Sequence, residues 1–285
     1  MKKYAVLFIL LIGIQSLSSC DKDEKNPVKS DENKIPTPDG YEAVWNDEFD
    51  GDQLDLTKWE YEVNADGGGN NELQYYTDRS QNSWVKDGVL VIQALKENYT
   101  GTGGQRDYTS ARIRTRNKGD WNYGRFEIRA KLPYGKGLWP AIWMLPTDWI
   151  YGGWAASGEI DIMELIGHQP NKVYGTLHYG GTSPNNVHTG DSYTLTSGNF
   201  ASEFHVFRLD WEPDQFRWYV DDVLYETQTE WYCDKSAFPA PFNQRFHMLL
   251  NVAVGGNWPG SPDTSTLFPQ KMQIDYVRVY RKVKE

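Results

Sequence analysis

Period-two alternation, broken every few residues by turn chemistry, is the feature that most restricts how this chain can fold. Phe126, Ile128, Ala130 and Leu132 share one face of a run whose other face carries Glu127, Arg129 and Lys131, and the run stops at Pro133. Successive side chains of a strand point to opposite faces, so this pattern predicts a half-buried strand. Residues 204–211, 215–220 and 223–226 form three further short runs, joined by the tight-turn sequences Glu212-Pro213-Asp214 and Asp221-Asp222. Residues 88–97 and 273–280 add strands rich in β-branched and aromatic side chains. No stretch sustains a helical period with a cap at each end. With 26 Gly and 14 Pro scattered between the runs, the expectation is an all-β antiparallel sandwich or barrel, which runs to this length as one domain.

Charge and aromatic content narrow the partners. Lys and Arg number 29 against 39 Asp and Glu, a net charge of −10, which is the wrong sign for a chain that gains affinity from phosphates and excludes nucleic acid. The 12 Trp, 18 Tyr and 11 Phe exceed what core filling asks for, and flat rings that stack on the apolar faces of neutral sugars are one use for them.

The N-terminus reads as an address. Lys2 and Lys3 precede an apolar run from Ala5 to Ile14, the charged and hydrophobic regions of a secretory signal, 1–19 in all. It is shorter than the roughly 20 apolar residues of a bilayer-spanning helix. Leu17-Ser18-Ser19-Cys20 resembles the lipobox of bacterial lipoproteins, and the resemblance implies a lipid anchor on Cys20. Asp21-Lys22-Asp23-Glu24 resembles the signal that sends lipoproteins to the outer face of the outer membrane, so a surface-exposed outer-membrane lipoprotein is expected. Plain secretion is the alternative. Residues 20–40 are charged and Pro-punctuated, with Val28 and Ile35 their only sizeable apolar side chains, and they read as a disordered tether that leaves 41–285 as the folded body. With Cys20 lipidated, Cys233 has no disulfide partner.

Chemistry concentrates in Gly158-Glu159-Ile160-Asp161-Ile162-Met163-Glu164-Leu165, where three acids interrupt a run that otherwise reads as a buried strand. Burying carboxylates is costly unless they have partners or a function. Glu159 and Asp161 share a face in a regular strand and Glu164 does not. A one-residue β-bulge around Ile162-Met163 would return all three to one side, and bulges are enriched beside active sites. Two carboxyls about 5–5.5 Å apart serve a retaining glycosidase as nucleophile and as acid/base, and a third acid between them would raise its neighbours' pKa values. A structural acid cluster and a metal site remain the other readings of these residues.

The hexapeptide Glu159-Ile160-Asp161-Ile162-Met163-Glu164 resembles the bulged Glu-x-Asp-x-x-Glu signature of glycoside hydrolase family 16. Residues 44–49, 70–77, 138–146, 175–179 and 251–260 resemble further family segments in the same order, nearest to the bacterial laminarinase-type members that cut β-1,3- and often mixed-linkage β-1,3/1,4-glucans. The resemblance implies a β-jelly roll of two curved antiparallel sheets with a concave cleft, acting as a monomer without a catalytic cofactor. It makes Glu159 the nucleophile, Asp161 its assisting acid and Glu164 the general acid/base, an order the residues alone do not give. It places His178 near these acids, Trp139, Trp143, Trp154 and Trp258 as sugar platforms, and Asn70, Asn71 and Arg112 as hydrogen-bonding partners at the glycone end. Trp143 lies in an apolar run where core packing competes.

The resemblance also implies a structural calcium ion on the convex face, held by Glu48, the carbonyl of Gly88 and Asp275, oxygen donors of the kind calcium prefers. In one respect the chain departs from its likeness. Gly67-Gly68-Gly69 stand where many laminarinase-type members have a Trp near the Asn-Asn pair, which opens the glycone side and keeps mixed-linkage glucan in play. A family 16 enzyme for agarose or carrageenan, a transglycosylase, and a non-catalytic glycan-binding lipoprotein are the competing functions.

Overall fold

The computed structural model describes Met1 and residues 35–283; the leader, Cys20 and most of the tether lie outside the described residues. Residues 37–285 group as one compact unit. Its strands form two sheets packed face to face. The cleft sheet runs in the order Asn186–Thr194, Lys172–Gly180, Glu159–Glu164, Leu138–Pro146, Phe246–Val254, Arg112–Arg114, Glu60–Tyr61, with Asp120–Trp121 paired to Phe246–Val254 off that path. The outer sheet has ten strands, centred on Gly124–Lys131 and Gln270–Lys282. Except for the parallel pairing of Gln74–Tyr76 with Gly104–Ser110, the named pairings are antiparallel. A single 3-10 turn, Gly67–Gly69, is the only helical element among the described residues. The expected all-β sandwich is what the chain builds.

The alternation read from the sequence becomes the two faces of the outer sheet. Phe126, Ile128 and Ala130 are fully buried, and the charged residues between them point away from the core. The meander appears as His205–Glu212, Gln215–Val220 and Val223–Gln228, ending one edge of that sheet. Leu138–Pro146 of the cleft sheet does the reverse. Leu138, Ile142 and Met144 enter the core, while Trp139, Ala141, Trp143 and Leu145 face the cleft. Each fully buried large apolar side chain contributes about 1.5–3 kcal/mol relative to exposure.

One core residue ties the outer sheet to the acidic strand. Trp218, fully buried, donates its indole N–H to the main-chain oxygen of Asp161 at 2.9 Å. The neighbouring strand makes room for that ring at Gly175, where a Cβ would come within 2.6 Å of the indole. Trp218→Phe removes the donor and leaves a void beside an unpaired carbonyl, so it should lose about 2–4 kcal/mol of stability. Urea unfolding measures this, and a loss below about 0.5 kcal/mol would mean that the bond contributes nothing.

Candidate active site

The acids sit on Glu159–Glu164, between Leu138–Pro146 and Lys172–Gly180, and the ladder shows how they come to share a face. On one side Asp161 pairs with Thr176 and Glu164 with Tyr174, so three steps along the acidic strand match two along its neighbour. On the other side Asp161 pairs with Trp143 and Met163 with Ile142. The extra residue is Ile162. This is the expected bulge, and it sets Glu159, Asp161 and Glu164 along one wall of a cavity of about 500 Å³. Ile160, Ile162 and Met163 go into the core.

Each of the outer two acids is oriented by a tryptophan. Trp154 Nε1 donates to Glu159 Oε2 at 2.9 Å, and Trp139 Nε1 donates to Glu164 Oε1 at 2.9 Å. His178 pairs with Glu159 from the neighbouring strand. Its Nε2 lies 3.2 Å from Asp161 Oδ2 and 3.7 Å from Glu159 Oε1. Burial pushes all three carboxyls well above the ordinary carboxylate range. At Glu159 the neighbouring Asp161 adds to the rise while His178 and the Trp154 N–H oppose it. At Glu164, Asp161 again adds to it, and the Trp139 N–H is the first opposing group. Burial and the mutual repulsion of close carboxyls disfavour ionising all three at once, and His178 opposes the rise at both Glu159 and Glu164.

The other expected residues separate into wall and support. Trp139, Trp143, Trp154, Asn70 and Arg112 line the cavity. Trp143 is therefore a cleft residue, with its N–H bonded to Asn251 Oδ1 at 2.8 Å. Arg112 is held behind it, its guanidinium 4.5 Å from the Tyr76 ring centre and 5.3 Å from that of Trp143, and paired to Glu62 and Glu72. Trp258 stands outside the cavity wall, 41% exposed and edge-on to Trp139 at 5.5 Å with an interplanar angle of 85°. Asn71 also lies off the wall, and its amide donates to Asn257 Oδ1 at 2.9 Å, clipping two loops together.

Glu72 and Asn251 belong to the wall and were not singled out from the sequence. Glu72 is buried and accepts from Gln74 Nε2 at 2.7 Å and from the Tyr76 hydroxyl at 3.2 Å. The same carboxylate explains the glycine run. Gly68 has φ +57°, and a Cβ there would lie 2.2 Å from Glu72 Oε1. Gly69 has open space around it.

The calcium residues belong to the outer sheet or the turns beside it, and their side chains are engaged. Both arms of Arg278 donate to Glu48, at 2.9 and 2.7 Å, and Arg129 donates to Asp275. Gly88 forms the turn between Ser83–Lys86 and Val89–Gly101. As arranged, the two carboxylates neutralise guanidiniums, and this donor set does not fit a calcium ion without displacing them.

The comparisons with known proteins agree with this geometry. Residues 56–278 match the family described as glycosyl hydrolases family 16. The chain belongs to glycoside hydrolase family 16. A family relative, the β-glucanase of Rhodothermus marinus, is 44% identical over 295 residues, covering 99% of this chain and 96% of the relative. The solved catalytic domain of the Thermotoga petrophila endo-1,3-β-glucanase (laminarinase) superposes with a TM-score of 0.77 at 43% identity, covering 86% of this chain and 99% of that one. A solved non-specific endo-β-1,3(4)-glucanase of family 16 gives a TM-score of 0.76 at 38% identity, over 87% and 94% of the two chains. The two-sheet architecture described above is thus the family 16 jelly roll.

Proposed function

We propose that the protein is a retaining endo-β-glucanase that hydrolyses β-1,3-glucan and mixed-linkage β-1,3/1,4-glucan by double displacement. The observation that carries this reading is the bulged strand that turns Glu159, Asp161 and Glu164 into one cavity lined by tryptophan. Glu159 attacks the anomeric carbon and Glu164 protonates the leaving oxygen; Glu164 then takes a proton from the water that releases the sugar. The position of His178 supports this order. Its ring nitrogen lies beside Glu159 and Asp161, where it can support the negative charge of the attacking carboxylate, while burial and the nearby Asp161 hold the carboxyl of Glu164 up in the range an acid needs. Asp161, buried between them, keeps the carboxyl of Glu159 oriented. Homologous glucanases named for β-1,3 and for β-1,3(4) cleavage support the substrate class.

The tryptophan geometry supports a bent substrate. Trp139, Trp143 and Trp154 line the cavity around the acids, and a β-1,3 bend near the cut lets a glucan follow a concave wall that a straight β-1,4 chain does not. A lost stack costs of the order of one to a few kcal/mol, roughly ten- to a hundredfold in kcat/KM. Digestion of laminarin, mixed-linkage glucan and soluble cellulose derivatives with product sizing should give mid-length oligosaccharides early from the first two and nothing from the third. Glucose alone from the first minutes, or efficient cutting of cellulose, would overturn this reading. The open space at Gly69 is the reason both substrates are expected to enter.

We further propose a monomer tethered to the outer membrane through lipidated Cys20 and exposed at the cell surface. The lipobox-like Leu17-Ser18-Ser19-Cys20 and the acids after it support this. Among the described residues no helix is long and apolar enough to cross a membrane. Cys20→Ala should move the protein from the membrane fraction to the soluble one, because each buried methylene of a lipid contributes about 0.8 kcal/mol. Sedimentation with membranes in that variant would refute the anchor. Calcium bound by Glu48, the Gly88 carbonyl and Asp275 would have to displace Arg278 and Arg129, and it takes no part in the reaction.

A further inference from the structure

The wall that holds the acids also matches a metal's coordination shell. His178 Nε2 is 3.2 Å from Asp161 Oδ2 and 3.7 Å from Glu159 Oε1, and the three groups each offer an atom within 4.8 Å of the others. Tetrahedral zinc, with bonds of about 2.0–2.2 Å, sets neighbouring ligand atoms roughly 3.3–3.5 Å apart, a spacing that the two measured distances bracket. A second observation points the same way. Asp161 Oδ2 is buried, lines the cavity and accepts no hydrogen bond of good geometry, its one polar neighbour being the His178 Nε2 that would share the ion with it.

We propose that Glu159, Asp161 and His178 form an inhibitory site for a borderline divalent transition-metal ion, with Zn²⁺ as the best match, whose fourth position opens into the cleft. The imidazole adds a nitrogen donor to two carboxylates, which suits zinc and its transition-metal neighbours, whereas magnesium and calcium prefer oxygen alone. Glu164 stays outside the set, since its carboxylate is turned to Trp139. A zinc-bound imidazole usually donates its second N–H to an acceptor. His178 Nδ1 is buried without such a partner, so binding is weaker by about 10–100-fold than at a site whose imidazole is so supported. The ion would occupy the Glu159 carboxylate through Oε1, its other oxygen being held by Trp154, so metal and glucan exclude one another. The inhibition rests on the glucanase reading, and the metal binding does not.

The test is calorimetric titration of the full, untagged chain with ZnCl₂, with MgCl₂ as contrast, repeated on His178→Ala and Asp161→Asn after circular dichroism shows both folded. The expected result is one Zn²⁺ per chain, binding at least tenfold weaker in either variant, and no comparable response to Mg²⁺. In kinetics, zinc should raise the KM for laminarin at unchanged kcat, and EDTA should reverse it. Equal zinc affinity in wild type and His178→Ala, or inhibition that excess laminarin does not relieve, overturns the proposal. If the wild type cuts no glucan, the glucanase reading fails while the titration still decides the metal site.

Discussion

Glu159→Gln should fold like the wild type, retain laminarin on an affinity gel, and turn over slower by about four orders of magnitude or more. The amide is nearly isosteric, keeps an oxygen for the Trp154 N–H, and loses only the capacity to attack carbon, an effect confined to the transition state. It also removes one of three crowded carboxyls from a buried wall, so the melting temperature should hold or rise. Steady-state kinetics on laminarin at wild-type rates would end the assignment of Glu159.

Glu164→Gln has the second largest expected effect, and its pattern is more diagnostic than its size. General acid/base help is worth about 10²–10⁴-fold, so hydrolysis of laminarin should fall by that factor. Aryl glycosides with good leaving groups need no proton in the first step, and their glycosylation should persist. Release then stalls because no base activates water, and azide, which needs no base, should restore turnover as a β-glycosyl azide. Because Trp139 holds Glu164, Trp139→Phe should mimic part of this loss. An azide product of inverted configuration, or no azide effect at all, would contradict the double displacement.

How far the sequence showed this site depends on whether each feature is local or comes from another strand. The acids at positions i, i+2 and i+5 announce a bulge by themselves, since a pleat of period two cannot put them on one side, and the ladder has its extra residue at Ile162. The sequence alone leaves Trp143 between core and cleft, and the strand decides it for the cleft. It lies four residues from Trp139 on one strand, so the two share a face, and the apolar run around them belongs to both the core and the cleft. Strand identity along 124–131 and 205–228 followed from alternation and turns alone.

What the residues could not show depends on distant partners. Glu72 looks like an ordinary loop acid until Arg112, Gln74 and Tyr76 are packed around it. Asn251 is one of two polar residues, with His247, in a strand buried at every position, and its aim at Trp143 depends on pairing across the sheet. Asn71 clips Asn257 from 186 residues away. The tie from Trp218 to Asp161 spans the core between sheets, with no sequence signal beyond a tryptophan in a strand.

The central claim is that Glu159 forms a covalent bond to the sugar, and peptide mass spectrometry of a trapped enzyme tests it most directly. A 2-deoxy-2-fluoro laminari-oligosaccharyl fluoride carries a leaving group good enough to glycosylate the enzyme, and its fluorine slows release from the intermediate. The expected result is one sugar per chain, on the peptide that contains Glu159, absent from Glu159→Gln and released by added laminari-oligosaccharide. A label on Glu164 or elsewhere, or steady turnover of the reagent with no adduct in the wild type, would contradict the account.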